Sequence, residues 1–280
     1  DARLTRAGLF FRLEMQDQAE EEFSLAAAIV ADESPPSAEN YFRLGNFWSN
    51  HKELEGALPF YDQAIQLDPD SAGPYHARYH LHLNLANLDK AFSDITDAIR
   101  LDPENHHLYG HRGDISRERG QFDKALADCN KALELAPRAD SIFALRAHVY
   151  VDQRQYDLAV ADYTKCVDLD PNDPTLKHNF ALFLLHCPDP QYRDIARALE
   201  LAQEAVNLDA SGGDFWSALG QARYRNDEYQ EAVKLLERSI ELDYVRKARS
   251  WFFLAMVHWK LGNEDEARQY YDRAVAWMRE

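Results

Sequence analysis

The chain contains 280 residues, of which 46% are hydrophobic and 28% are charged, and its formal net charge is −17. Such a charge argues against nucleic acid and anionic membranes as partners, because lysine and arginine supply the affinity for both. The apolar runs also fall short of the roughly 20 residues that span a bilayer. The composition therefore favours an ordered, helix-rich protein with a partner of basic or neutral character, and neither nucleic acid nor a membrane as that partner.

The first predicted elements are two helices near residues 1–37. Alanine and phenylalanine recur there at helical spacing: Ala7, Phe10, Ala19, Phe23 and Ala26. The polar, proline-bearing segment ADESPPSAEN follows them and ends the pair. The spacing matches the stricter units that come next, so it predicts the same kind of helix pair.

The next four units repeat at a fixed interval of 34 residues. They begin at Ala38, Ala72, His106 and Asp140. Their twentieth position is always alanine: Ala57, Ala91, Ala125 and Ala159. Their thirty-second position is always proline: Pro69, Pro103, Pro137 and Pro171. Because small residues allow helix axes to approach closely and proline ends a helix, each unit predicts two short antiparallel helices.

Three further units are predicted near residues 174–212, 213–247 and 248–280. In the first of them, Pro188 and Pro190 must end the first helix and form a loop before the second one. We expect Cys187 to be exposed in this loop, whereas Cys129 and Cys166 occupy buried repeat positions. The cysteines show no metal-ligand spacing, so we expect reduced thiols in a cytoplasmic protein.

These residues resemble the tetratricopeptide repeat family, whose 34-residue helix-turn-helix units carry small, aromatic and proline residues at matching positions. The resemblance implies an all-α fold, a right-handed α-solenoid of about eight antiparallel helix pairs. It predicts one array over residues 1–280, with units near 1–37, 38–71, 72–105, 106–139, 140–173, 174–212, 213–247 and 248–280. Residues 174–280 also look like bacterial, often kinase-linked repeat arrays at the C-terminal end of larger proteins. Because the chain begins with Asp1 inside a repeat, we expect a C-terminal fragment of a larger multidomain protein.

In this family the first helix of each unit lines a concave groove that holds the partner. The resemblance therefore implies a partner-binding groove with these residues: Asn46, Asn50, His76, His80, Asn84, His107, Asp114, Arg117, His148, Asp152, His178, Tyr224 and Arg225. All eleven histidines of the chain lie on predicted first helices. They could bind a peptide or change charge near pH 6, or they could simply be tolerated on half-exposed helices.

Two histidine pairs are separated by four residues, His76 with His80 and His107 with His111. Each pair lies on one helix face and could chelate a metal. Zinc requires a third or fourth ligand, however, and the sequence places no cysteine or glutamate at the same point. The sequence therefore predicts no metal site, and it predicts no cofactor.

The sequence carries no glycine-rich phosphate loop, no nucleophile elbow and no isolated carboxylate pair, so we expect no enzyme. The leading hypothesis is a protein-protein interaction scaffold that binds a peptide or helical segment of a partner in the groove. The alternative is a structural module that self-associates. The last helix has no capping helix after it, so Tyr270, Val275, Trp277 or Met278 is expected to stay partly bare and could form a homodimer.

Overall fold

The computed structural model describes residues 2–12, 15–32, 35–51, 54–242 and 247–279. Within these ranges every regular element is helical, which confirms the all-α prediction. The α-helices are α1 (Ala2–Arg12), α2 (Gln16–Ala31), α3 (Ala38–His51), α4 (Leu58–Leu67), α5 (Ala72–Asn84), α6 (Leu88–Leu101), α7 (His106–Glu118), α8 (Phe122–Leu135), α9 (Asp140–Asp152), α10 (Tyr156–Leu169), α11 (Pro174–His186), α12 (Ile195–Leu208), α13 (Gly213–Arg225), α14 (Tyr229–Leu242), α15 (Lys247–Lys260) and α16 (Glu264–Trp277). Short 3-10 turns span Leu54–Ala57 and Pro190–Tyr192. None of these helices combines the length and apolar character that crossing a membrane requires.

The helices form two compact units, Asp1–Pro137 with α1 to α8 and Arg138–Glu280 with α9 to α16. We call them unit 1 and unit 2, and we keep the word unit without a number for one helix pair of the repeat. Each odd-numbered helix packs against the even-numbered helix that follows it, as the repeat predicts. Within unit 2 the odd-numbered helices α9, α11, α13 and α15 also contact one another in succession. This pairing is the architecture of an α-solenoid, whereas the single array over residues 1–280 stays a prediction.

Small side chains at the twentieth position hold the two helices of a unit close together. Each of these alanines is fully buried: Ala57, Ala91, Ala125 and Ala159. Gly45 does the same for α3 and α4, because a Cβ at this position would lie 2.6 Å from the ring of Tyr61. The predicted role of the small residues is therefore confirmed.

In three of the four units with strict spacing, the turn between the two helices contains one residue in the left-handed backbone conformation: Ala86, Gly120 and Arg154, with φ angles of 55°, 69° and 60°. The N–H of the next residue then donates back to the preceding helix, as Asn87 does to the carbonyl of His82 at 2.8 Å. This bond satisfies a carbonyl at the helix end, so the turn stops the first helix and reverses the chain.

The two prolines after α11 end this helix as predicted, and α12 begins only at Ile195. The predicted exposure of Cys187 is wrong, since its exposed fraction is 2%. The Arg193 side chain explains the difference, because its Nε donates to the Cys187 carbonyl at 2.7 Å and its Nη2 to the Pro188 carbonyl at 3.2 Å. These bonds fold the loop back on itself, and the thiol packs into the core of unit 2.

Candidate functional site

The predicted groove residues Asn46 and Asn50 lie on α3, and Asn84 is the last residue of α5. Asn46 is half-buried, and its side-chain oxygen accepts a hydrogen bond from the Tyr61 hydroxyl at 3.0 Å. Asn50 and Asn84 are exposed. Asn46 therefore positions Tyr61 between α3 and α4, while the other two asparagines are free to meet a partner from solvent.

Three histidines of α5 and α7 come together in unit 1. His76 and His80 lie one turn apart on α5, and His111 approaches them from α7. One ring nitrogen from each lies within 4.8 Å of the other two, and the Nε2 atoms of His76 and His80 are 3.2 Å apart. We call this group the histidine cluster. The sequence placed His76 and His80 together but missed His111, which it paired with His107.

The environment of the histidine cluster favours the neutral imidazole. Burial lowers the pKa of His76 and of His80, and for His76 the charges of His80 and His107 act in the same direction. Burial, together with the neighbouring histidines, lowers the pKa of His111 to about 4. Near neutral pH each ring therefore keeps a lone pair that can accept a proton, a hydrogen bond or a metal ion.

Tyr79 forms one wall of the histidine cluster. Its ring centroid lies 5.1 Å from that of His111 and 4.6 Å from that of His80. Burial raises the pKa of Tyr79 to about 12, and the charges of Asp114 and Glu118 contribute. The phenol therefore stays protonated and acts as a packing surface for the imidazoles rather than as an anion.

The other predicted residues of α7 lie outside the histidine cluster. His107 is exposed, and its ring centroid is 3.9 Å from that of His106. Asp114 and Arg117 are half-buried and form an ion pair of 3.5 Å one turn apart on the same helix. Because these two charges compensate each other, they are less available to a partner than the sequence suggests.

Unit 2 contains a cleft of about 580 Å³ lined by α9, α10, α11, α13 and α15. We call it the odd-helix cleft, because most of its residues come from odd-numbered helices. Its walls are apolar and include Val151, Leu182, Phe183 and Phe253. Its polar groups are few, which is the composition of a site that orients a ligand by a small number of hydrogen bonds.

Gln221 and His186 form the polar floor of the odd-helix cleft, and they belong to a longer chain of hydrogen-bonded side chains. Gln221 is 1% exposed, and its Oε1 lies 2.7 Å from Nε2 of His186. The Gln221 amide donates to the Ser217 hydroxyl at 3.1 Å, and Ser217 in turn lies 3.0 Å from the Ser250 hydroxyl. Ser250 also bonds Ser239 at 3.0 Å. This network satisfies buried polar atoms and fixes the orientation of Gln221 and His186 in the cleft.

The structure separates the predicted groove residues of unit 2. His148 lines the odd-helix cleft, with its ring 5.7 Å from that of Tyr163. His178 is half-buried beside Phe215, at a ring distance of 5.5 Å, and is not part of the lining. Asp152 and Arg225 are exposed, and Tyr224 lines a different cleft. Of the predicted residues in this unit, only His148 therefore lies in the odd-helix cleft.

Tyr224 belongs to a second cleft, of about 740 Å³, between α13, α15 and α16. Its walls include Met256, Trp259 and Tyr271, whose exposed fractions are 40%, 65% and 54%. We call it the terminal cleft. Several large apolar side chains therefore face solvent at one place in the last helix pair.

The residues predicted to be bare on the last helix differ in exposure. Met278 is 62% exposed. Tyr270 and Trp277 are half-buried, because the ring of Tyr270 stacks on His258 at 5.3 Å and that of Trp277 packs on Trp251 at 5.9 Å. Val275 is also half-buried.

Comparisons with solved structures agree with the helix-pair architecture. A tetratricopeptide repeat protein from Parabacteroides merdae ATCC 43184 is similar at a TM-score of 0.71 and 16% identity, over 95% of this chain and 98% of that chain. Yeast Tom70 is similar at 0.62 and 22% identity, over 92% of this chain and 56% of that chain. The Cut9–Hcn1 hetero-tetramer of the APC/C is similar at 0.65 and 14% identity, over 91% of this chain and 46% of that chain. This chain thus spans about half the length of the last two.

A search of curated proteins found no match to the chain. Sequence models of the tetratricopeptide repeat, by contrast, match residues 38–71, 106–139 and 141–173. Another model of the same repeat matches residues 192–243 and 217–278. These segments make up more than half of the chain, and three of them coincide with the helix pairs of the buried Ala57, Ala125 and Ala159. The chain therefore belongs to the tetratricopeptide repeat family.

Proposed function

We propose that this chain is a scaffold that binds a peptide or helical segment of a partner protein in the odd-helix cleft. The tetratricopeptide repeat fold suggests a protein-protein interaction scaffold, and proteins of this family are generally non-enzymatic. The observation that carries the choice of site is the odd-helix cleft itself, which combines apolar walls with an anchored polar floor. A preformed site of this kind loses little conformational entropy when it binds a ligand.

The chemistry of the cleft indicates how a peptide would be held. Val151, Leu182 and Phe253 offer apolar surface to side chains of the partner. Arg249 lines the same cleft and can donate to a main-chain carbonyl or a carboxylate of the peptide. The net charge of −17 supports a partner that is basic elsewhere, because long-range attraction speeds the encounter of opposite charges.

A peptide selection tests this proposal. Peptides that bind the full chain are selected from a random peptide library, and their affinity is measured for the wild type and for a Leu182→Ala, Arg249→Ala variant. We expect the double substitution to weaken binding at least about tenfold, the effect of one lost charge-assisted hydrogen bond. The matched control is Arg238→Ala, because Arg238 is exposed on α14 and pairs with Glu241 at 2.7 Å outside the cleft. Equal affinity of the double variant and the wild type would refute the proposed site.

The second candidate function is self-association through the C-terminal helix. The exposed side chains of Trp259, Tyr271 and Met278 favour it, because a second copy of the chain could cover them. Light scattering over a range of concentrations, for the wild type and for Tyr271→Glu, Met278→Glu, tests it. A mass that grows with concentration only in the wild type supports a homodimer, and a monomer at every concentration removes the idea.

The wider setting of the chain is also part of the proposal. We propose a bacterial, kinase-linked protein with this array at its C-terminal end, because residues 174–280 resemble such arrays in their sequence, and a cytoplasmic location, because the cysteines are expected to be reduced. The sequence of the full-length gene product tests this setting. A product without a further signalling domain would contradict the kinase-linked context.

A further inference from the structure

We infer that His76, His80 and His111 form a binding site for a divalent transition-metal ion of the zinc class. The site lies in unit 1 and shares no residue with the peptide cleft proposed for unit 2, so it does not depend on the proposed function. It is built from two successive first helices, α5 and α7.

The distances in the histidine cluster are close to those of a metal site. Zinc bound to imidazole nitrogens at about 2.0–2.1 Å in tetrahedral geometry places those nitrogens roughly 3.3 Å apart. The Nε2 atoms of His76 and His80 are already 3.2 Å apart. One ring nitrogen from each of the three histidines lies within 4.8 Å of the other two, so closing the set to the zinc spacing takes a shift of at most about 1.5 Å at the His111 nitrogen.

The donor set selects the kind of ion. Three imidazoles suit zinc, cobalt, nickel or copper, whereas magnesium and calcium require oxygen ligands. His80 is exposed while His76 and His111 are half-buried, so the site opens to solvent on one side. A water molecule can then occupy the fourth tetrahedral position.

Hydrogen bonding within the histidine cluster joins only two of its three rings. Between two neutral imidazoles 3.2 Å apart, one ring can donate and the other accept. The third ring, His111, packs edge-on against His80 at a centroid distance of 5.0 Å and is not hydrogen-bonded to either partner. Metal coordination would use one nitrogen of all three rings at once.

A zinc titration distinguishes this site from simple chelation by the His76–His80 pair. Metal-free full-length chain is titrated with Zn²⁺ in competition with a colorimetric chelator. We expect one tight site per chain and, because the ion loses one of three protein ligands, a loss of at least about tenfold in affinity for His111→Ala. The control is His107→Ala, an exposed histidine on the same helix outside the cluster, which is expected to keep wild-type affinity.

Two further measurements keep the test decisive if a variant is poorly folded. Circular dichroism of each metal-free variant reports its helix content, and His111→Gln serves as a second, polar replacement. Zn²⁺ should raise the unfolding temperature of the wild type and of His107→Ala but not of either His111 variant, because an ion that binds the folded state stabilises it. Unchanged zinc affinity in both His111 variants, or an equal loss in His107→Ala, would overturn the inference.

Discussion

Arg112 and Asp128 form a two-pronged ion pair that joins α7 to α8 within one repeat. Nε and Nη2 of Arg112 donate to the two carboxylate oxygens at 2.9 and 2.6 Å. The same pair recurs 34 residues before and after, between Arg78 and Asp94 and between Arg146 and Asp162. The aspartates are buried, so this pair is a repeated polar clamp between the two helices of a unit.

Breaking one clamp should destabilise unit 1. Asp128→Ala leaves the Arg112 guanidinium without its partner, and because that side chain is only 24% exposed, water replaces the lost bonds incompletely. We expect the free energy of unfolding to fall by about 2 kcal/mol, below the range for fully buried pairs. Chemical denaturation measures this. The double variant Arg112→Met, Asp128→Leu should lose less stability, because it leaves no unpaired charge. A loss as large as that of Asp128→Ala would contradict this explanation.

The turn residues predict opposite effects of two matched substitutions. Ala86 and Gly120 occupy equivalent positions with φ angles of 55° and 69°. Ala86→Gly should stabilise the protein by about 0.5–1 kcal/mol, because glycine adopts this conformation without steric cost. Gly120→Ala should destabilise it by a similar amount, although no atom lies within 4 Å of the added Cβ. Thermal denaturation of both variants checks the signs, and changes in the same direction would refute backbone strain as the cause.

The buried alanines predict a strong dependence on side-chain size. Ala125 is fully buried, so Ala125→Leu forces α7 and α8 apart, and we expect a loss of about 2–3 kcal/mol. Ala127 lies on the same helix but is exposed, so Ala127→Leu should change stability by less than about 0.5 kcal/mol. Urea unfolding of the two variants compares the positions directly. Similar losses of stability in both variants would show that a leucine on α8 destabilises the protein whether or not its position is buried.

His186 in the odd-helix cleft predicts a pH effect in unit 2. Burial lowers the pKa of His186 from 6.5, and Arg225, Arg249 and Arg193 lower it further, against the opposing hydrogen bond of Gln221. As the pH falls below 6.5, the unfolded chain takes up the proton first, so the folded state loses stability until the lower pKa of the folded protein is passed.

This effect can be measured by denaturation at a series of pH values. Below pH 6.5 the wild type should lose more stability than His186→Gln, which keeps a polar contact to Gln221 but cannot take up a proton. If the free energy of unfolding changes equally with pH in the two proteins, His186 has the same pKa in the folded and the unfolded chain, which would contradict the prediction. An NMR titration of the ring gives the folded pKa independently.

The sequence predicted the helix pairs well because the period of 34 residues places the same small side chain at the same contact in every unit. Ala91 and Ala125 are therefore equivalent in the sequence and in the structure. The loop at Pro188 was predicted for a similar reason, since proline restricts the backbone locally.

Contacts between side chains of different helices were predicted less well. Arg112 and Asp128 recur with the period of the repeat, yet spacing alone does not show that they reach each other. His111 was paired with His107 on its own helix, whereas its ring centroid lies 5.3 Å from that of His76 on α5. Cys187 was judged from the loop alone, without the hydrogen bonds of Arg193 that fold the loop back.

The most direct test of the proposed scaffold function is NMR of methyl-labelled protein with a peptide selected from the random library. Addition of the peptide should shift the methyl resonances of Val151 and Leu182, which line the odd-helix cleft. The methyl resonances of Leu126 on α8 and Val233 on α14 should stay unchanged. Shifts at those control positions, with none at Val151 and Leu182, would contradict binding in the cleft.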